Sequence, residues 1–197
     1  MTDPSTPQLR PGDVLCVRTS NGLTSRLIRL GAALLDRDNT VNHVAIYTHT
    51  DRAGTPWCIE GRPGGVGWQD ARKYLASPWT VDNVRQAKTD DQRRLVVKAA
   101  KAMLGVGYDW VGIAEDAATA ARLIDLADLI DRLWRDKGWD GGQPPGHVVC
   151  SSLAAYAYHA TGLEHPTLEV DRRTSPTAWA TFCVERRFHV PLAAPAA

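Results

Sequence analysis

The sequence has few of the features that mark membrane, nucleic-acid-binding and disulfide-rich proteins. No apolar run approaches the roughly 20 residues that a membrane-spanning helix needs. Lys and Arg (23) nearly balance Asp and Glu (22) and form no block, which argues against nucleic-acid binding. The polar stretch 1–11 has no apolar centre, so we expect no secretory signal.

Cysteine is also scarce, with residues at 16, 58, 150 and 183. Their spacing matches neither a paired CxxC zinc site nor a disulfide-dense small scaffold, and reduced thiols are the expectation without a signal sequence. Cys16, Cys58 and Cys183 have apolar neighbours typical of core positions. Cys150 alone lies in a different setting.

The composition that is present, 44% hydrophobic and 23% charged over 197 residues, is that of one globular domain with a sizeable core. Short strand patterns alternate with amphipathic helix patterns, and no repeat is visible. A flexible leader is expected over 1–10, a single domain over 11–190 and a tail over 191–197. Strands are predicted over 14–17, 41–47, 57–60, 79–84 and 188–190. Helices are predicted over 24–35, 90–104, 111–137, 150–162 and 177–182, with a helical turn over 70–75. A loop is predicted over 61–67, with a further short strand starting at 66–68.

Cys150 follows a chain break and opens a helical pattern. Pro144, Pro145 and Gly146 precede an Ala/Leu/Tyr run that ends at Gly162. In the first turn of such a helix, backbone N–H groups carry partial positive charge, which stabilises a thiolate and can receive the oxyanion of an attacked carbonyl. A small buried core cysteine is the alternative, and Cys150 by itself does not decide between them.

A cysteine nucleophile needs a base, and histidine suits this task near neutral pH. His43 lies inside an apolar strand, and Glu60 is the only charge at the end of the next strand. If the two strands pair, Glu60 reaches His43 across the ladder. His147 is a rival because it precedes Cys150 by three residues, and a structural histidine at 43 is a further alternative. The other histidines are expected to lie too far away or at strand ends: His49, His159, His165 and His189.

Five short motifs follow one another along the chain. They are Pro11-Gly12-Asp13-Val14, Asn42-His43-Val44-Ala45-Ile46-Tyr47, Ile59-Glu60-Gly61 with Gly65-Val66, Gly107-Tyr108-Asp109-Trp110, and Val149-Cys150-Ser151-Ser152-Leu153. In this order they resemble the circularly permuted NlpC/P60 group, relatives of papain that include YiiX-like and lecithin:retinol-acyltransferase-like proteins. Val149 and Ser152 depart from that group, standing where the family often has an aromatic residue and Glu, and 114–143 looks like a helical insertion.

The resemblance implies an α+β, permuted papain-like fold in which an antiparallel sheet packs against helices and the nucleophile begins a late helix. It implies that Cys150 is the nucleophile, His43 the general base and acid, and Glu60 the group that orients His43. It implies no metal and no cofactor. The candidates for lining the cleft or contacting substrate are Tyr108, Asp109, Trp68 and Ser151.

The implied function is hydrolysis of an amide bond through an acyl-enzyme, with bacterial cell-wall peptides as the leading substrate. Without a signal, such a protein would be cytoplasmic, or phage-encoded and released at lysis or carried in a virion. Alternatives that stay open are acyl transfer or hydrolysis on lipid-like or N-acylated substrates, and a non-catalytic binding module. A metal site made by His43, Glu60 and Cys150 is a further alternative, although no fourth ligand is evident.

Overall fold

The computed structural model describes residues 9–17, 41–75, 81–84, 88–109, 147–166, 178–179, 182 and 189–191, and gives the backbone alone for 81–84, 147 and 189–191. The strands are β1 (Val14–Val17), β2 (His43–Thr50), β3 (Pro56–Arg62), β4 (Gly65–Asp70), β5 (Val81–Val84), β6 (Gly107–Tyr108), β7 (His147–Val148) and β8 (His189–Pro191). The helices are α1 (Arg72–Leu75), α2 (Asp90–Ala102) and α3 (Cys150–His159). Outside the described residues lie the helices predicted over 24–35 and 111–137, the predicted insertion 114–143, Cys183, most of the predicted helix 177–182, and nearly all of the leader and tail.

Six strands form one antiparallel sheet in the order β4-β3-β2-β1-β5-β8. The two short strands β6 and β7 pair in parallel beside it. The architecture is therefore a mixed one, an antiparallel sheet with helices, as expected for an α+β fold.

The sheet is covered on both faces, which explains why its strands read as nearly continuous apolar runs. Side chains alternate between the two faces. A larger apolar cluster joins alternate sheet residues such as Val44, Ile46 and Ile59 to α2 and α3. A smaller cluster lies on the other face and contains Leu15, Val17, Ala45, Tyr47, Cys58, Ala71 and Tyr74.

The helices begin and end where their sequences predict. Thr89 caps α2 and forms a reciprocal capping box with Gln92. Gly105 and Gly162 follow α2 and α3 with φ of 86° and 66°, a left-handed conformation that glycine adopts at helix ends. In the part of the chain that the structure describes, no helix has the length and apolar character needed to cross a membrane.

The opening Pro-Gly-Asp motif fastens β1 to α2. The carboxylate of Asp13 is fully buried, accepts a hydrogen bond of 2.7 Å from Arg93 on α2, and lies 3.7 Å from the buried ammonium of Lys88. Arg10, at the end of the predicted leader, donates its backbone N–H to Asp13 at 2.8 Å and pairs with Asp90 at 2.7 Å. A buried carboxylate needs such partners, so the role of Asp13 in the Pro-Gly-Asp motif is explained by this structural contact.

The loop predicted over 61–67 is wrong, because β3 and β4 form a hairpin through most of it. The strand register pairs Glu60 with Gly67, Gly61 with Val66 and Arg62 with Gly65. Glycine is needed here for close backbone approach and not for a flexible loop. Gly65 has φ of 97°, and a Cβ added to it would lie 2.7 Å from the carbonyl oxygen of Val106. That same oxygen accepts the N–H of Val66 at 2.8 Å, so β4 is joined directly to the segment before β6.

Candidate active site

The candidate site lies where β2 begins, β3 ends and α3 begins. Gly61, the residue after Glu60, packs against the first residue of α3. A Cβ at Gly61 would lie 3.1 Å from the backbone nitrogen of Cys150 and 3.2 Å from the carbonyl carbon of Val149. A side chain at this position would force α3 to shift by a few tenths of an ångström, so glycine favours the close approach that brings Cys150 beside the end of the sheet.

His43 and Glu60 make the contact that the strand pattern predicted. The Nε2 of His43 lies 2.8 Å from Oε2 of Glu60, and because a carboxylate only accepts, the ring donates. Glu60 is 1% exposed and Cys150 2%, while 15% of the His43 side chain is exposed. Cys150 lies near the same ring, since its charge acts on the pKa of His43, and Nδ1 is the ring nitrogen that Glu60 leaves available. The three side chains thus lie next to one another.

Glu60 is held as a carboxylate by more than the histidine. The Nζ of Lys73 lies 3.0 Å from Oε1, and the hydroxyl of Tyr74 donates to Oε2. Burial by itself would raise the pKa of Glu60. The hydrogen bond and charge of His43, followed by Tyr74 and Lys73, outweigh burial and lower the pKa to about 2. Glu60 is therefore ionised at neutral pH despite its burial.

The pKa of His43 moves in the opposite direction. Burial lowers it, but the charge and hydrogen bond of a Cys150 thiolate, and then those of Glu60, raise it to about 10. Since the ordinary value is 6.5, His43 is an imidazolium at neutral pH. Lys73, Glu60 and His43 then form a row of alternating charge that ends beside Cys150, and a nearby positive charge is the setting that favours a reactive cysteine.

We expect Cys150→Ala to lower the pKa of His43, because the charge and the hydrogen bond of the sulfur both raise it. The titration of the His43 ring can be followed by NMR from its Cε1–H signal in both proteins. The exposed His159, at the other end of α3, serves as an internal control whose titration should not move. Identical His43 midpoints in the two proteins would show that the thiol and the ring do not interact.

Tyr108 and Asp109, predicted to line the cleft, lie next to the start of α3. Tyr108 is buried in β6 and packs against Val149, the residue before Cys150. Its pKa is raised by burial and then by the charge of Cys150, which places the two residues close together. Asp109 donates its backbone N–H to the carbonyl of Val148 at 3.2 Å. Both residues stay candidates for contact with substrate.

Ser151 and Trp68 fit the prediction of substrate contact less well. Ser151 is fully enclosed, and its carbonyl accepts a hydrogen bond of 3.1 Å from the indole N–H of Trp179. Trp68 packs on the larger cluster, with its ring centroid 5.8 Å from that of His49 and 5.7 Å from Nζ of Lys101. Glu60 faces the opposite side of the sheet, next to Tyr74. We therefore assign Ser151 and Trp68 to the packing of the fold.

Among the remaining histidines, His159 and His165 contact each other, with Nδ1 and Nε2 3.3 Å apart. The backbone of His147 lies in β7 next to Gly107 of β6, and its side chain is outside the described residues. Within the described ranges, no group of three or more His, Cys, Asp or Glu side chains is placed to hold a metal ion.

The sequence indicated a helical turn at 70–75 but not that its side chains would reach Glu60. Lys73 and Tyr74 belong to this turn, now α1, and both contact the carboxylate. Their contribution depends on how α1 packs against β3, and no local pattern in the sequence carries that information. These are the site residues that sequence reasoning missed.

Comparison with known proteins adds little to this geometry. No family model matches the chain, and no curated protein matches it. The crystal structure of metalloprotein YiiX from Escherichia coli O157:H7 is similar over 95% of this chain and 98% of that one, with 16% sequence identity and a TM-score of 0.47. A likeness at this level assigns no family, so the function has to be inferred from the site itself.

Proposed function

We propose that the protein is a cysteine hydrolase with a permuted papain-like arrangement, which cleaves an amide bond through an acyl-enzyme. The observation that carries the proposal is the connected row of Cys150, His43 and Glu60. The thiol begins a helix, the imidazole lies near it, and a buried carboxylate holds Nε2 of the ring. Nucleophile, base and orienting group in mutual contact are what acyl transfer requires.

In the proposed reaction, the Cys150 thiolate attacks the carbonyl carbon of the substrate. The N–H groups in the first turn of α3 receive the negative charge on the carbonyl oxygen. The His43 imidazolium gives its proton to the leaving nitrogen, the C–N bond breaks, and the amine departs, which leaves a thioester on Cys150. His43, now neutral, takes a proton from water, whose hydroxide attacks the thioester and releases the acid and the thiolate.

Bacterial cell-wall peptides are the substrate class we propose first. Support comes from the order of the five sequence motifs, which resembles that of the permuted NlpC/P60 group. Tyr108 and Asp109 lie beside the nucleophile and are the proposed contacts for the peptide.

The proposal predicts that purified protein releases new amino groups from peptidoglycan fragments and that Cys150→Ala releases none. Intact-mass spectrometry of the parent protein should detect an acyl adduct on Cys150 after rapid acid quenching. Acyl transfer from N-acylated or lipid-like donors, offered in parallel, would move the assignment to the acyltransferase alternative. Fragment binding of equal strength by parent and Cys150→Ala, without turnover, would instead indicate a binding module.

A further inference from the structure

Two adjacent residues of α1 converge on the carboxylate of Glu60. Lys73 contacts Oε1 at 3.0 Å, while Tyr74 donates to Oε2, the oxygen that also binds Nε2 of His43. Both oxygens of Glu60 are therefore engaged, and its plane is fixed by contacts from two directions. A carboxylate with such partners cannot rotate without breaking a hydrogen bond.

The short helix α1 is itself held in place. The carboxylate of Asp70 accepts the backbone N–H of Arg72 at 2.9 Å, and the N–H of Ala71 bonds to the carbonyl of Pro56, at the start of β3, at 2.8 Å. Tyr74 is buried in the smaller cluster, with its ring centroid 5.8 Å from that of His43. These contacts tie α1 to the strand that carries Glu60.

Lys73 combines this contact with access to solvent. Its side chain is 35% exposed, and its ammonium lies 4.6 Å from the centre of the Tyr74 ring. A lysine needed only for solubility would extend fully into water, since its charge is strongly hydrated. The ammonium instead bends back over an aromatic ring to a carboxylate that is almost fully buried.

We propose that Lys73 and Tyr74 are positioning residues that hold Glu60 charged and in one orientation, so that Glu60 keeps the His43 ring directed at Cys150. The inference rests on the proposed hydrolase function for its catalytic meaning. Neither residue is assigned contact with the substrate. Among the residues that the structure describes, the titratable or charged groups that act on or feel the charge of Glu60 are His43 from β2, Cys58 from its own strand, Lys73 and Tyr74 from α1, and Tyr108 from β6.

Of these groups, Lys73 is the one whose positive charge can be removed without touching the triad or the core. Loss of a nearby positive charge makes a carboxylate easier to protonate. As the pH falls, Glu60 of a Lys73 variant would therefore be protonated at a higher pH than in the parent. Below that pH the negative charge of Glu60 no longer stabilises the imidazolium of His43, which in turn stabilises the thiolate of Cys150.

The test is the pH profile, from pH 2 to 9, of Cys150 alkylation by iodoacetamide in the full chain, with the site assigned by mass spectrometry. Because the pKa of Glu60 in the parent is about 2, we expect Lys73→Met to move the acid limb up by about one pH unit and to slow labelling by up to about tenfold at the acid end of this range, as the loss of one close opposite charge does. Tyr74→Phe should shift the limb in the same direction. Lys73→Arg should stay within about threefold of the parent, because it retains the charge.

Lys101→Met is the matched control, since Lys101 also lies over an aromatic ring, that of Trp68, but contacts no site residue we assign. Its profile should overlay that of the parent, and thermal unfolding should show Lys73→Met and Lys73→Arg equally folded. A Lys73→Met profile that overlays the parent overturns the inference. Loss of labelling by Lys73→Met and Lys73→Arg alike, with the acid limb unmoved, also overturns it. If His43→Ala leaves labelling unchanged as well, the proposed hydrolase itself fails, so the two failures are distinguishable.

Discussion

Replacing His43 by alanine is expected to slow alkylation of Cys150 at pH 6 about a hundredfold, at the low end of what a positioned acid–base histidine contributes. At this pH the parent holds an imidazolium beside the sulfur, because its pKa is raised to about 10. The variant keeps the helix N-terminus but loses this charge. The remaining thiol would react mainly through the small fraction that is ionised in acid.

Iodoacetamide labelling with peptide-level mass spectrometry measures this rate. Cys58 provides a slow internal reference, because burial raises the pKa of its thiol. His159→Ala is the matched variant, because His159 lies at the last residue of the same helix and contacts His165 instead of the thiol. It should label at the parent rate. Equal rates for the parent and His43→Ala would rule out the triad.

The second large effect concerns stability: Gly65→Ala should reduce the free energy of unfolding by more than about 2 kcal/mol. An L-residue at φ of 97° is strained, and the new Cβ would lie 2.7 Å from the carbonyl oxygen of Val106. That oxygen is backbone, bonded to the N–H of Val66, so it cannot move aside without breaking the junction of β4 with the segment before β6.

Two other glycines, Gly54 and Gly64, allow the conformational and the steric causes of this loss to be separated. Gly54 has φ of 81° with open space around its Cβ position, so Gly54→Ala should cost about 1 kcal/mol from conformation alone. Gly64 also has open space and no left-handed φ, so Gly64→Ala should stay within about 0.5 kcal/mol of the parent. Urea unfolding ranks the three variants. A loss at Gly65 no greater than that at Gly54 would show that the carbonyl contact is unimportant.

The contact between His43 and Glu60 in the candidate site could be predicted because it follows from the pairing of two neighbouring strands. Glu60 is a charged residue at the end of one apolar strand, and His43 lies in the neighbouring strand. Cross-strand pairing brings such residues together, and Glu60 lies 2.8 Å from His43. The position of Cys150 at the start of a helix followed from the Pro-Pro-Gly break before it. Both features are close in sequence, since His43 and Glu60 are 17 residues apart and the break directly precedes α3.

What could not be predicted depends on distant parts of the chain. Glycines in 61–67 look like a loop, but Gly61 is small because α3 packs on it and Gly65 because Val106 does. Lys73 and Tyr74 look like ordinary helix residues until α1 is placed beside Glu60. Trp68 was predicted to line a cleft, yet its ring packs toward α2. A single sequence holds no local signal for such approaches.

The continuous segment from β2 to α1 carries His43, Glu60, Lys73 and Tyr74, whereas Cys150 arrives much later in the chain. During synthesis, the two hairpins of this segment can form from local contacts, which are the fastest to close. Cys150 reaches this segment only when α3 docks against Gly61. A nascent chain could therefore hold the His43–Glu60 pair before Cys150 is in place, and the thiol would meet its proposed base only once α3 has packed against the sheet.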